Sequence, residues 1–97
     1  MNNIEIRKLA NQLKALGEFN RLSIVYELCQ CKAPQNAMCL CSCCGVDASG
    51  VSRHLKTLEQ EGVLSSEKNG RQVTYSLNRK EVANNLRNLA NIVEANP

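Results

Sequence analysis

Aromatic residues are nearly missing from this chain of 97 residues, which has no tryptophan, one phenylalanine and two tyrosines. Phe19, Tyr26 and Tyr75 all fall beside apolar stripes. No platform is left for stacking bases, which disfavours RNA and single-stranded DNA as partners. Histidine is as scarce, with His54 alone, and no glycine-rich phosphate loop accompanies the nine carboxylates. That inventory argues against an enzyme. No apolar run approaches the roughly 18 residues that a membrane span needs. The N-terminus, MNNIEIRKLANQ, also lacks the apolar centre of a secretory signal. The expected setting is the cytoplasm. Internal repeats and low-complexity segments are lacking too.

What remains is an ordinary soluble composition, 22% charged and 43% hydrophobic, sized for a single domain over residues 1–97. Cysteine is the anomaly. Six of them crowd into positions 29, 31, 39, 41, 43 and 44. A disulfide scaffold would spread its cysteines to join distant elements, and it belongs in a secreted chain. Closely spaced thiols in a cytosolic protein point instead to a metal, a metalloid or redox chemistry. Charge is uneven as well. Residues 49–80 carry Arg53, Lys56, Lys68, Arg71, Arg79 and Lys80 against Glu59, Glu61 and Glu67. Such a basic excess suits phosphate contact or, equally, a solvated face.

Periodicity divides the chain into helices and one hairpin. Ile6, Leu9, Leu13 and Leu16 mark an amphipathic helix that stops near Gly17. Asn20 is the expected cap of a second helix, with Leu22, Val25, Tyr26 and Leu28 inside, and that helix ends before Pro34. A loop at Lys32–Asn36 leads to a short helix from Ala37 to Cys44, stopped by Gly45. Asp47 caps the next, whose inner stripe is Val51, Leu55, Leu58 and the aliphatic part of Lys56, and Gly62 ends it. Val63–Lys68 and Gln72–Leu77 then flank Asn69-Gly70, a strong hairpin signal. Val82, Leu86, Leu89 and Val93 form a last amphipathic helix. Asn84, Asn85, Asn88 and Asn91 make that helix a poor one by propensity, so it must be held by packing. Packing against a second chain is the economical source, with an intrachain cap on the core as the other.

Two short helices joined by a tight turn, followed by a hairpin, describe a winged helix-turn-helix. The fold class expected is mainly α with a β-hairpin wing, about five helices and two strands, as a homodimer. The second helix of the motif opens Ala-Ser-Gly-Val-Ser-Arg-His-Leu-Lys. Ser49, Ser52, Arg53, His54 and Lys56 put hydroxyl, guanidinium, imidazole and ammonium groups on its outer face. Hydroxyls and lysine suit phosphates, while arginine can read guanine edges bidentately. Lys68 and Arg71 flank the hairpin turn, where a wing tip would meet the adjacent DNA backbone or minor groove. Double-stranded DNA is the expected partner.

The run CCGVDASGVSRHLKTLEQEGVLSSEKNGRQVTYSLN resembles the ArsR/SmtB family of bacterial metal-sensing repressors. The matching residues are Val51-Ser52-Arg53-His54-Leu55-Lys56 and Leu58, then Glu61-Gly62-Val63-Leu64, Gly70-Arg71, Tyr75 and Leu77. LKALGEFNRLSIVYEL at 13–28 is similar to the family's opening. The resemblance covers nearly the whole chain. It implies a winged-helix homodimer, joined through the first and last helices, that sits on an operator and leaves it when an inducer binds.

The inducer must be read from the ligands present. The last helix offers Glu81, Glu94 and amides but no histidine, so the family's histidine–carboxylate site there cannot be assembled. Sulfur is what is left, and all-thiolate sites favour soft ions. Cys39-x-Cys41-x-x-Cys44 looks like the family's arsenic-sensing motif, with Cys43 beside it. An ungapped alignment from the recognition helix instead puts Cys41 at that motif's last cysteine; both registers stay open. Trivalent arsenic and antimony take three thiolates in a pyramid. As(III) or Sb(III) is therefore the expected inducer, with Cd, Pb or Zn as other thiophilic ions. Cys29 and Cys31 can add a thiol across the loop.

At about 100° per residue, Cys39 and Cys43 share one face of a helix and Cys41 and Cys44 another. Cys39 and Cys41 then lie on nearly opposite sides. One ion holds both only if that helix unwinds or shifts, which would move the recognition helix it supports. Two rivals remain. A thiol redox sensor on the same fold would join pairs such as Cys29–Cys43 in disulfides. A structural-zinc interaction module would use the cysteines to hold its fold and would unfold without metal.

Overall fold

The computed structural model describes residues 1–45 and 47–95, the side chains of Cys43, Cys44 and Ala48 excepted. Five helices and three strands are described. They are α1 (Asn3–Leu16), α2 (Phe19–Gln30), β1 (Gln35–Asn36), α3 (Ala37–Cys44), α4 (Ala48–Gln60), β2 (Leu64–Asn69), β3 (Gln72–Leu77) and α5 (Arg79–Ala95). The three strands form one antiparallel sheet in the order β1-β3-β2. This is the winged helix-turn-helix expected, with one strand more.

Capping side chains set the helix starts, since the first amides of a helix have no partner inside it. Asn2 Oδ1 accepts from the Glu5 amide at 2.8 Å to open α1. Asn36 Oδ1 accepts from the Cys39 amide at 2.9 Å to open α3. The cap of α2 is Glu18 and not Asn20: its carboxylate accepts from the Asn20 amide at 3.0 Å and the Arg21 amide at 3.1 Å. A glutamate reaches both amides from one residue before the helix, and Asn20 is already inside it. Arg21 closes the element behind, donating from Nε to the Ala15 carbonyl at 2.6 Å and from Nη2 to that of Lys14 at 3.3 Å. At the end of α3, Gly45 takes φ +68°, a left-handed stop that costs a glycine little.

The core is a single cluster. Ile24 and Leu28 of α2, Leu40 of α3, Val51, Leu55 and Leu58 of α4, and Val63 and Leu64 beyond it are nearly or fully buried. Ala15, Leu16, Val25 and Val82 close its edge. On α2 the expected inner face needs correcting. Ile24 is inside, while Leu22 and Tyr26 are 51% and 65% exposed. That helix is apolar on two sides, and the sequence pattern alone does not say which side the core takes. Lys56 is exposed. Gln12 is the one buried polar side chain among the described residues, 4% exposed. Its Nε2 donates to the Glu61 carbonyl and its Oε1 accepts from Asn85 Nδ2, so it joins α1 to the end of α4 and to α5.

The hairpin closes one residue later than its Asn-Gly signal suggested. Asn69 pairs with Gln72, which leaves Gly70 and Arg71 as the two turn residues. Only Gly70 has positive φ, +64°, the glycine-first pattern of a II′ hairpin. The stretch expected as a loop at Lys32–Asn36 contains β1. Gln35 pairs with Tyr75 and Asn36 with Thr74.

Helix α5 is only lightly attached. Val82 is its single buried residue, whereas Leu86, Ile92 and Val93 are 39%, 45% and 68% exposed. The accessible surface, 6843 Å², exceeds the ~5,500 Å² of a compact monomer of this mass by about 1,300 Å². The radius of gyration, 14.5 Å, likewise exceeds the ~12.5 Å expected for a compact chain of this length.

Candidate nucleic-acid interface and thiol segment

The α3–turn–α4 unit presents one face of α4 to solvent. Val51, Leu55 and Leu58 are fully buried, so the residues about half a turn away must face outward. Ser49, Ser52, Arg53 and Lys56 do so, and all four are exposed. Gly50 is buried among the described residues of the first turn. Asp47 fixes the start of the helix. Its Oδ1 accepts from the Gly50 amide at 2.6 Å and from Ser49 Oγ at 3.2 Å. The Gly50 amide first, then Ser49, and more weakly the charges of Arg53 and His54 hold the Asp47 carboxyl below its ordinary range.

His54 stands at the flank of this face. It is half-buried, with Nδ1 3.8 Å from Glu18 Oε1 across the α1–α2 turn. The Glu18 carboxyl is held below its usual value by the Asn20 amide, then by that of Arg21 and by the charges of His54 and Arg21. His54 of the recognition helix therefore comes close to the same residue that caps α2.

Lys68 and Arg71 are exposed at the wing tip. The base of the wing is held by Asn78: its amide donates to Val63 O at 3.0 Å and its Nδ2 to Gly62 O at 2.9 Å. Its Oδ1 accepts from Ser65 Oγ at 2.7 Å, and Ser66 Oγ donates to the Glu59 carboxylate from β2 back to α4. Wing and recognition helix are thus one framed surface, with hydroxyl, guanidinium and ammonium groups at both ends. Of the six cations counted between 49 and 80, Arg79 is not on it. Its guanidinium turns to the end of α2.

The thiols are divided by the helix they sit on. Cys39 is exposed and Cys41 is half-buried against the core, as opposite sides of an intact α3 require. Cys29 is exposed, and Cys31 is half-buried with Sγ donating to the Glu27 carbonyl at 3.2 Å. The side chains of Cys43 and Cys44 lie outside the described residues. Among the described residues, no three His, Cys, Asp or Glu side chains gather at metal-binding distance. Helix α3 packs directly on α4.

A mainly helical domain with a framed wing and a polar, outward recognition helix is a DNA-binding module of the winged helix-turn-helix class. Residues 20–66 match the family described as bacterial regulatory protein, arsR family. The arsenical resistance operon repressor of Bacillus subtilis (strain 168) is 36% identical over 80 residues, spanning 79% of this chain and 72% of that one. The chain belongs to the arsR family of bacterial transcriptional regulators. An ArsR-like transcriptional regulator from Rhodococcus sp. RHA1 superposes with a TM-score of 0.80 at 29% identity, covering 93% of this chain and 83% of its own. The homodimeric winged helix-turn-helix DNA-binding domain of a possible ArsR-family regulator from Mycobacterium bovis shares the fold. It gives a TM-score of 0.73 at 23% identity over 93% and 81% of the two chains. No described helix is long and apolar enough to cross a membrane.

Proposed function

We propose that this chain is a homodimeric, cytoplasmic repressor that binds a double-stranded operator and leaves it when cysteine thiolates capture a thiophilic metalloid, As(III) or Sb(III). One observation carries the reading: the cysteine-bearing helix α3 packs directly against the recognition helix α4. The name of the Bacillus relative, an arsenical resistance operon repressor, supports arsenic over other soft ions.

Ser49, Ser52, Arg53 and Lys56 meet the major groove, with His54 at its edge, and Lys68 and Arg71 meet the backbone beside it. Cys39, Cys41, Cys43 and Cys44 supply the thiolates, with Cys29 and Cys31 in reach of the same segment. Because an intact α3 separates Cys39 from Cys41, capture distorts α3, and the ion favours the form that no longer holds α4 in place. The second protomer covers α5 and α1, whose Ile4 and Ile6 are 69% and 49% exposed. The surplus surface of the single chain is larger than the ~800 Å² that each partner contributes to a standard interface.

The test is an operator titration with arsenite, antimonite, cadmium, zinc and peroxide, on the wild type and on single Cys→Ser variants. Arsenite should release DNA, and Cys39→Ser or Cys41→Ser should abolish release while leaving operator affinity intact. Normal release from both variants excludes the chelate. Release by peroxide alone, with a defined disulfide by mass spectrometry, would replace it with a redox switch. Unfolding on removal of zinc would make the cysteines structural.

A further inference from the structure

The stretch from the end of α2 to the end of α3 holds every cysteine of the chain. Besides its packing on the core, it is fastened at two points to the wing and its continuation. The first is Arg79. Its Nη2 donates to the carbonyls of Leu28 and Cys31, each at 2.9 Å, and its Nη1 to that of Cys29 at 3.3 Å. These oxygens lie at and just beyond the C-terminal end of α2, where carbonyls run short of partners inside the helix; that of Leu28 also accepts from the Cys31 amide at 3.2 Å. The second is the β1–β3 pairing. Arg79 is the first residue of α5 and follows β3 by two residues, so both fastenings converge on the same strand and helix start.

We propose that Arg79 is a positioning residue that transmits movement of the thiol segment to the wing and to α5, in addition to the α3–α4 contact. The inference rests on the thiol-capture reading above. A planar guanidinium can hold three acceptors at once in a fixed fork, which an ammonium cannot reproduce. When a shared ion draws the segment out of shape, the Leu28, Cys29 and Cys31 carbonyls withdraw from that fork. Arg79 then loses charge-assisted hydrogen bonds, and with them the fixed direction of the first turn of α5 and of the end of β3. The clamped form is the DNA-competent one. The released form is the one the inducer favours.

The test uses the full chain with Arg79→Gln and Arg79→Lys, measuring operator affinity by fluorescence anisotropy with and without saturating arsenite. Arsenite affinity is measured separately, without DNA, from the ultraviolet absorption of arsenic–thiolate bonds. In the wild type, arsenite weakens operator binding by a fixed factor. R79Q should bind the operator roughly tenfold more weakly before arsenite is added, and its arsenite factor should shrink by the same amount. Because the released form is the one that the inducer favours, R79Q should also bind arsenite more tightly in the absence of DNA, and R79K should fall between. A purely structural cap would lower the thermal midpoint of R79Q yet leave the arsenite factor and arsenite affinity at wild-type values, and that result overturns the proposal. If circular dichroism shows R79Q unfolded, R79K decides alone: a reduced factor supports the coupling and an unchanged one overturns it. A wild type that ignores arsenite defeats the thiol reading itself in the first arm, before any Arg79 variant is compared, and leaves Arg79 with no signal to transmit.

Discussion

Val93 gives a quantitative test of the second protomer. In the single chain it is 68% exposed near the end of α5, so replacing it should leave the fold of one protomer nearly unchanged, within about 0.5 kcal/mol. In a dimer built on α5 the same side chain is covered. Full burial of a valine is worth about 2 kcal/mol, and two-thirds of that remains to be gained on association, about 1.4 kcal/mol per chain. Symmetry places two copies in each dimer. Their joint loss is about 2.8 kcal/mol, or about a hundredfold in the dimer dissociation constant. Val93→Glu also sets two like charges into a dry interface, which only adds to the loss. Sedimentation velocity across a concentration series measures the constant, and circular dichroism confirms the fold. A V93E protein that dimerises as tightly as wild type would refute α5 as the dimer seam. A V93E protein that loses its helical signal would show that α5 is held within its own chain.

Other consequences follow from the same residues. Leu40→Ala removes a side chain that is 1% exposed at the only fully buried position described on α3. It should cost about 3 kcal/mol in urea unfolding and weaken operator binding as α3 loosens; a loss under about 1 kcal/mol would mean that α3 is not held by the core. Lys68→Ala should lower the slope of log affinity against log salt by about 1 with little change in sequence preference. Arg53→Ala should cost about 1–3 kcal/mol and relax preference at one base pair. The opposite pattern would exchange their roles. Acid stability has a definite sign. The Glu18 and Asp47 carboxyls are held below their ordinary values of 4.5 and 3.8. Their contribution is therefore present above those values and lost as pH falls through the lower folded ones. Glu18→Gln or Asp47→Asn should flatten the loss of stability below pH 4.5 and 3.8 respectively, as followed by thermal midpoints across pH.

Punctuating residues were legible in the sequence because their chemistry is local. Gly45 and Asp47 end and begin helices by their own backbone freedom and carboxylate, and the structure places them there. Features that depend on distant partners were not legible. β1 is two polar residues long and becomes a strand only by pairing with β3. Phe19, Leu22 and Tyr26 lie on one side of α2 and Ile24, Val25 and Leu28 on the other, so the pattern supports either inner face. Gln12 reads as a surface residue until Glu61 and Asn85 arrive to satisfy its amide. Arg79 was counted in a basic patch, because nothing nearby in the sequence reveals the carbonyls of α2 some fifty positions earlier. Hairpin register needed the pairing itself, since Asn69 and Gly70 both carry turn signals.

The location of the thiols also bears on which element can yield. Helix α4 is held on one side by the core and on another by the Glu18 turn, where Arg21 closes α1 and His54 reaches across. Displacing it from that side would disturb two helix ends at once. Helix α3 is the shorter of the two. It is eight residues long, well below the length at which a helix persists unaided. Its attachments include the Asn36 cap, the left-handed stop at Gly45, Leu40 in the core with Ala37 and Cys41 beside it, and packing on α2, α4, β1 and β3. Distorting so short an element costs a few backbone hydrogen bonds, each of modest net worth, whereas ligand bonds to thiolates are strong and directional. Under the proposed reading, the soft ion therefore acts on a short element against which the recognition helix packs. Had the same cysteines been placed on α4, capture would have had to work against the whole core.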